Sequence, residues 1–142
     1  MTRRPAILYA RTGFTVEPAT DWVDMVALPT VEALSAAQLR AYNAADLDAF
    51  CACYHPDVTV MGHDGAVRTR GMAAFRAGYG AMFAEYAGVG AAVDTRITVG
   101  AHTVERERWW RTNRATGARI EGVVLVRYTA DEGTIRWVEF LR

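Results

Sequence analysis

His63 and Asp64 are the adjacent residues best suited to proton transfer in this chain. A histidine titrates near neutral pH, so it can accept or donate a proton, and a neighbouring aspartate can orient it or act itself. The same residues precede Gly65, and Asp-Gly is a strong turn signal. Two interpretations therefore stay open, an acid–base pair and an ordinary exposed turn.

A second group of chemically capable residues consists of Cys51, Cys53, His55 and His63. Their spacing matches no compact zinc motif, and the HExxH and CxxC patterns are absent. Two cysteines at i and i+2 point to different sides of a helix, so we expect reduced thiols that act as small apolar side chains. The sequence predicts no metal and no cofactor.

The run Glu-Arg-Glu-Arg at residues 105–108 is unusual for a strand. Alternation places both glutamates on one face and both arginines on the other, and it also splits Trp109 from Trp110. We favour ion pairing on the open face of a sheet; the alternative is an arginine that enters a pocket to bind a carboxylate or phosphate. The expected partners are Arg96, Arg119, Glu121, Arg127 and Glu139.

Helices are predicted in the first half of the chain. Thr30 is suited to cap a helix that runs to about Tyr42, with Gln38 as the polar residue in its apolar stripe. Asp46 caps a short helix over 47–54, which Pro56 stops. A strand at 57–61, a turn and a short strand at 66–68 follow, and then a helix from Gly71 to about 87. Its apolar stripe is Met72, Phe75, Tyr79, Met82, Phe83 and Tyr86.

The last third of the chain reads as strands at 91–100, 102–113, 118–130 and 134–141, joined by tight turns. This order predicts an α+β fold with an antiparallel meander. Residues 30–142 form the expected domain. Residues 1–29, which carry three of the four prolines, form an N-terminal extension. It is either a surface segment or an arm that covers a pocket or crosses to a partner subunit.

Composition excludes several classes of function. Hydrophobic residues make up 51% and charged residues 23%, as in a globular protein, and the formal net charge is zero. That balance argues against nucleic acid and against electrostatic attachment to a membrane. Because no apolar run is long enough for a membrane span and the N-terminus is unlike a signal peptide, we expect a cytoplasmic protein.

Three motifs give the chain a resemblance to the nuclear transport factor two-like superfamily, which includes ketosteroid isomerases and SnoaL-like polyketide cyclases. Residues 41–48 (AYNAADLD) resemble its helix break, residues 54–60 (YHPDVTV) its first strand, and residues 133–140 (GTIRWVEF) its last. The resemblance implies a cone-shaped curved antiparallel sheet packed on about three helices, as in cystatin-like and SnoaL-like folds. It also implies a homodimer formed through the sheet face.

The ketosteroid isomerase residues are absent from the matching positions. The resemblance puts Gly62 where those enzymes have an aspartate base, Gln38 where they have a tyrosine donor, and Val124 where they have a second aspartate. Ketosteroid isomerisation is therefore not expected. His63 and Asp64 flank the empty base position at the mouth of the implied pocket, and Gln38 can still donate a hydrogen bond.

The pocket implied by this fold would be apolar, with a few hydroxyl groups, and would suit a small organic molecule that the sequence does not identify. The leading hypothesis is a cofactor-independent isomerase, dehydratase or cyclase. The others are a non-catalytic ligand-binding domain and a homodimeric interaction module. The predicted wall is Tyr42, Tyr54, Phe75, Tyr79, Phe83, Val124, Val126, Tyr128, Val138 and Phe140.

Overall fold

A computed structural model describes residues 27–141, so most of the predicted N-terminal extension, residues 1–26, lies outside the described residues. Three helices and six strands follow one another in the order α1 (Val31–Asn43), α2 (Leu47–Ala52), β1 (Tyr54–Met61), β2 (Val67–Arg70), α3 (Met72–Glu85), β3 (Tyr86–Val99), β4 (His102–Asn113), β5 (Arg119–Asp131) and β6 (Thr134–Leu141). No helix in this part of the chain is long and apolar enough to cross a membrane. The predicted α+β class is confirmed.

The helices begin where the sequence places their caps. The Thr30 hydroxyl accepts a hydrogen bond from the N–H of Ala33 at 3.1 Å, and the Asp46 carboxylate accepts one from Ala49 at 3.1 Å. Each cap satisfies an N–H group that the first helical turn leaves without a partner. Gly71, with a φ of 84°, precedes α3.

The four long strands form the predicted meander, and the strand order in the sheet is β2-β1-β6-β5-β4-β3. The sheet is mixed rather than purely antiparallel, because β1 runs parallel to β6. The predicted helix to Tyr54 also ends early. Tyr54 pairs with Ile135, and the Ile135 N–H bonds to the Cys53 carbonyl at 2.9 Å, so sheet pairing prevails there.

The third helix is shorter than predicted for a similar reason. It ends at Glu85, and Tyr86 opens β3 opposite Asn113. Gly88, which follows the predicted end of the helix at about residue 87, has a φ of 58° at an irregularity between Ala87 and Gly90 in the β3–β4 pairing. Strand pairing with β4 therefore overrides the helical pattern of the last turn.

The core lies between the helices and one face of the sheet. Phe50 is 1% exposed and stacks on Phe75, with ring centroids 5.6 Å apart and planes within 8° of parallel. Tyr54 and Tyr79 pack against the same rings at 4.5–5.0 Å. This aromatic cluster packs α2 and α3 against β1, and a cavity remains beside it.

Candidate functional site

A cavity of about 390 Å³ lies between the helices and the inner face of the sheet. Gln38 lines it, as does most of the wall that the sequence predicts. The predicted residues that line it are Tyr42, Phe75, Tyr79, Val124, Tyr128, Val138 and Phe140.

Three predicted wall residues lie elsewhere. Tyr54 and Val126 belong to the buried core, at 4% and 0% exposure. Phe83 packs its ring on Tyr42 at 5.7 Å, on the helical side of the cavity wall. The alternation and helical patterns placed these side chains inward, but they do not distinguish a core position from a cavity position.

The two glutamates of the 105–108 run face inward, so the expected position on an open sheet face is wrong for them. Glu105 is fully buried and Glu107 is 8% exposed. Arg106 and Arg108 point outward, where both form ion pairs with Asp94. The alternation was predicted correctly, but the face on which the carboxylates lie was not.

Glu107 is the carboxylic acid of the cavity, and it ends a chain of hydrogen bonds. Tyr54 Oη donates to Gln38 Oε1 at 3.1 Å, Gln38 Nε2 donates to Tyr128 Oη at 3.5 Å, and Tyr128 Oη donates to Glu107 Oε1 at 2.8 Å. Three elements, α1, β4 and β5, together with the start of β1, supply this chain. It holds the Glu107 carboxyl group in one orientation at the cavity wall.

Burial raises the pKa of Glu107 to about 7. The Tyr128 hydrogen bond opposes this effect by stabilising the carboxylate, whereas the nearby Glu105 carboxylate adds to it by repulsion. Burial also raises the pKa of Tyr128 well above its usual value, so the phenol stays a donor. A group with a pKa near 7 can both accept and release a proton at neutral pH.

Glu105 lies beside Glu107 and is held by two partners. Ser35 Oγ donates to its Oε1 at 2.6 Å, and Arg96 Nε donates to the same oxygen at 2.7 Å. The predicted pairing of this run with Arg96 is thus confirmed for Glu105. Its second oxygen, Oε2, is buried without a hydrogen-bond partner among the described residues.

Arg111 and Trp109 continue the inner face of β4 beyond Glu107, and both line the cavity. The Arg111 guanidinium lies 4.3 Å from the Tyr86 ring centroid and 5.1 Å from that of Trp109. The Trp109 indole covers Gly122 on β5, where an added Cβ would approach the ring to 2.7 Å. The cavity therefore carries a carboxylic acid, an aromatic ring and a cation along one strand.

His63 and Asp64 lie on the exposed turn between β1 and β2, and neither is among the described residues that line the cavity. His63 Nδ1 donates to the Leu141 carbonyl at 2.8 Å. Asp64 accepts from the Ala66 N–H and pairs with Arg68, and these contacts lower its pKa. Asp64 thus acts as a turn residue, and the role of the two residues as an acid–base pair stays a prediction.

The cysteines are free and buried. Burial raises the pKa of both thiols, which opposes formation of a reactive thiolate. Across residues 27–141, no group of three or more His, Cys, Asp or Glu side chains is placed to hold a metal ion.

The isomerase resemblance did not point to Glu107, because the positions that it matches, Gln38 in α1, Gly62 after β1 and Val124 in β5, include none on β4. Val124, which stands where the resemblance places an aspartate, pairs directly across from Glu107 on β4. Side chains at paired positions lie about 5 Å apart on the same face of a sheet. The neighbouring strand β4 therefore supplies a carboxyl group, that of Glu107, beside the position where Val124 replaces the aspartate. Strand register, combined with the alternation of 105–108, was the signal that would have found it.

Comparison with known proteins agrees with this architecture. The SnoaL-like domain family matches residues 36–140, whereas no curated protein matches the chain. An uncharacterised cystatin-fold protein from Novosphingobium aromaticivorans is 25% identical, with a TM-score of 0.73 over 80% of this chain and 99% of that one.

Two further solved structures share the fold at lower identity. A candidate polyketide cyclase from Pseudomonas putida is 21% identical, with a TM-score of 0.70 over 80% of this chain and 92% of its own. An LEH-like epoxide hydrolase from M. tuberculosis is 17% identical, with a TM-score of 0.67 over 76% and 78% of the two chains. At these identities the likeness concerns the fold alone.

Proposed function

The chain belongs to the SnoaL-like domain family, and we propose that its cavity binds a small organic molecule on which Glu107 carries out proton transfer without a cofactor. The reaction class is isomerisation, dehydration or cyclisation. One observation carries the proposal: a buried carboxyl group with a pKa of about 7 lies in the wall of a cavity of about 390 Å³. Buried carboxyl groups with shifted pKa values are typical of catalytic acids and bases.

The shape and lining of the cavity support binding of a flat, mostly apolar ligand. Tyr42, Phe75, Tyr79 and Phe140 supply aromatic surface, and Gln38 and Tyr128 supply polar groups beside Glu107. Ligand sites commonly combine an apolar wall with a few convergent polar groups and occupy about 300–1,000 Å³. The volume falls at the small end of that range, which favours a molecule of two or three rings.

In the proposed step, the Glu107 carboxylate removes a proton from a carbon next to a ligand carbonyl. The C–H bond breaks, an O–H bond forms on Glu107, and the electron pair moves to the carbonyl oxygen. Return of the proton to another atom completes an isomerisation. Cleavage of a C–O bond on the next carbon, with the Glu107 proton transferred to the departing hydroxyl group so that it leaves as water, completes a dehydration. The Tyr128 hydroxyl, 2.8 Å from Glu107 Oε1, stabilises the carboxylate before it accepts the proton and again after the proton has left.

The test begins with a binding screen by native mass spectrometry and thermal shift over polyketide-like ketones, aromatic acids and steroids. Each bound ketone is then incubated with the protein in D₂O, and loss of its exchangeable C–H signal is followed by NMR. We expect Glu107→Gln to keep ligand binding and to slow exchange by about 100-fold or more. Arg108→Gln, on the outer face of the same strand, is the matched control.

The competing assignment is tested in the same assay. If His63→Ala abolished exchange while Glu107→Gln did not, the acid–base role would return to the β1–β2 turn. If ligands bound but no C–H proton exchanged in the wild-type protein, the non-catalytic binding domain would replace the enzyme. Absence of any ligand would contradict both.

A homodimer through the outer face of the sheet is a second proposal, and one observation favours it. Val123, Leu125 and Trp137 are 51%, 42% and 37% exposed on that face. Apolar side chains grouped on a sheet face are typical of protein contacts. We expect a dimer mass by light scattering, and a monomer mass for Leu125→Glu; a monomeric wild-type protein would contradict the proposal.

A further inference from the structure

Arg111 stands out among the cations of the described chain because it lines the cavity without a counter-ion. Across residues 27–141, no carboxylate lies within 4.0 Å of its guanidinium. Its Nε–H is buried and has no hydrogen-bond acceptor there. By contrast, Arg106 and Arg108 on the outer face of the same strand both pair with Asp94.

The surroundings of Arg111 position its charge in the cavity. Its guanidinium lies against the rings of Tyr86 and Trp109, which orient the planar group. The same charge opposes the burial that raises the pKa of Tyr42 and Tyr79, so it acts on two rings of the cavity wall. A partly desolvated cation with an unused donor is unfavourable unless an anion completes it.

We propose that Arg111 binds the carboxylate of an aromatic acid whose ring system occupies the cavity, so that the ligand of this protein is an organic anion. The inference rests on the proposed function and narrows its ligand class. A guanidinium offers two parallel N–H donors that match a carboxylate, whereas a ketone or an ester engages them less strongly.

The spacing along β4 sets the size of that ligand. Glu107, Trp109 and Arg111 alternate onto the inner face, so the Cα atoms of Glu107 and Arg111 are about 13 Å apart at roughly 3.3 Å per residue. Both side chains line the cavity with Trp109 between them, so a two-ring skeleton with its acid group at Arg111 would lie along the inner face of this strand. The other end of such a ligand then lies near the Glu107 carboxyl group.

The experiment compares matched acid and amide pairs: benzoate with benzamide, 2-naphthoate with 2-naphthamide, and anthracene-2-carboxylate with its amide. Affinities are measured by calorimetry and by quenching of tryptophan fluorescence, at a pH where every acid is ionised. In the wild-type protein we expect at least one acid to bind about 10-fold or more tightly than its amide, because hydrogen bonds to charged groups are strong. Arg111→Gln should reduce that ratio to about one while amide affinity stays within about two-fold.

Two further variants make the result specific. Arg111→Lys keeps the charge but loses the forked donors, so it should retain part of the preference for the acid. Arg108→Gln removes an arginine from the outer face of the same strand and should leave the wild-type ratio. If Arg111→Gln fails to fold by circular dichroism, the wild-type ratio and the Arg111→Lys variant decide the question.

The outcomes separate this inference from the proposed function. Equal affinity for acid and amide in the wild-type protein, or a preference that survives Arg111→Gln, overturns the anion site and leaves the binding cavity intact. Failure of every acid and every amide to bind overturns both.

Discussion

The two faces of β4 carry opposite charges in different surroundings. On the inner face, Glu105 and Glu107 are 0% and 8% exposed and lie beside the cavity. On the outer face, Arg106 and Arg108 stay about half exposed and share the carboxylate of Asp94. A single residue of offset along the chain separates these environments, because side chains of a strand alternate between faces.

The difference shows that burial, not residue type, makes this strand a candidate for chemistry. A carboxylate such as Asp94 forms its ion pairs with Arg106 and Arg108 at the surface, where water screens the charges, and such pairs contribute little. The buried Glu107 loses hydration, and its pKa rises to about 7, whereas the fully buried Glu105 accepts hydrogen bonds from Arg96 and Ser35. The inner face of β4 is therefore where substitutions should have large effects.

Among substitutions on the inner face of β4, truncation of Glu105 should lower the stability of the protein most. Glu105→Ala leaves the Arg96 charge and the buried Ser35 hydroxyl without their partner. We expect the free energy of unfolding to fall by about 3 kcal/mol, because the buried Ser35 hydroxyl is left without its acceptor and a charge-assisted hydrogen bond from the partly exposed Arg96 is lost. Urea denaturation measures the loss.

The matched control is Glu121→Ala, which removes a mostly exposed carboxylate of the neighbouring strand that pairs with Arg119 at 3.4 Å. That change should alter the free energy of unfolding by less than about 0.5 kcal/mol. Equal losses for the two variants would contradict the contrast between the faces.

Because Glu107 is buried, the difference in the free energy of unfolding between the wild-type protein and Glu107→Gln should depend on pH. Between its ordinary pKa of 4.5 and the folded value of about 7, the folded wild-type protein holds a proton that the unfolded chain has released. Wild-type stability therefore declines as pH rises through this window, by about 3 kcal/mol in total, and the glutamine variant lacks this decline.

Urea denaturation of both proteins at several pH values tests the sign of this effect. Relative to the wild type, Glu107→Gln should gain stability from about pH 5 to about pH 8. Asp94→Asn, the outer-face control, should show no such gain. A wild-type minus variant difference that is constant with pH would mean that Glu107 ionises as an ordinary exposed glutamate does.

Most of the fold could be predicted from sequence because its signals are local. The caps at Thr30 and Asp46 and the glycine turns at Gly100 and Gly133 depend on neighbouring residues, and they fix the helix starts and the meander. The errors lie at Tyr54 and Tyr86, where pairing with a distant strand replaces a local helical pattern. Local sequence does not encode those partners.

The site was less predictable because it depends on register between strands. Gln38 was identified by its position in an apolar stripe, but Glu107 was assigned to an open face. Alternation divides the side chains of a strand between the two faces of the sheet, but it does not show which face is buried. The adjacent aromatic Trp109, which shares the face of Glu107, was a usable sign that this face is the inner one.

Two glycines that lie against tryptophan rings, one on each face of β4, allow the faces to be compared by adding a single methyl group without changing any charge. Gly122 lies under the cavity residue Trp109, and Gly90 lies under Trp110 on the opposite face. An added Cβ at either position would come closer to the ring than side-chain atoms normally pack. Gly122→Ala and Gly90→Ala should each lower the free energy of unfolding by about 1–3 kcal/mol, because each ring must shift.

Ligand affinity distinguishes these two variants. Only Gly122→Ala displaces a ring that lines the cavity, so it should weaken binding of 2-naphthoate, or of whichever acid binds, while Gly90→Ala keeps wild-type affinity. Equal effects on binding would mean that the cavity responds to the stability of the sheet rather than to the position of Trp109.

The smallest effect should come from the outer-face ion pairs themselves. Asp94 is one-third exposed and contacts Arg106 and Arg108, whose side chains are 47% and 58% exposed. Because water screens these charges, Asp94→Asn should cost no more than about 1 kcal/mol in low salt, and the cost should shrink in 1 M NaCl, where the Debye length is about 3 Å. The loss caused by Glu105→Ala should persist better in the same salt, because the Glu105 carboxylate and its Ser35 partner are fully buried and only the Arg96 side chain, 31% exposed, reaches water. If salt reduced both losses equally, the carboxylate of Glu105 would be in contact with solvent. The inner face of β4 would then not differ from the outer face in burial, which is the basis for placing proton transfer there.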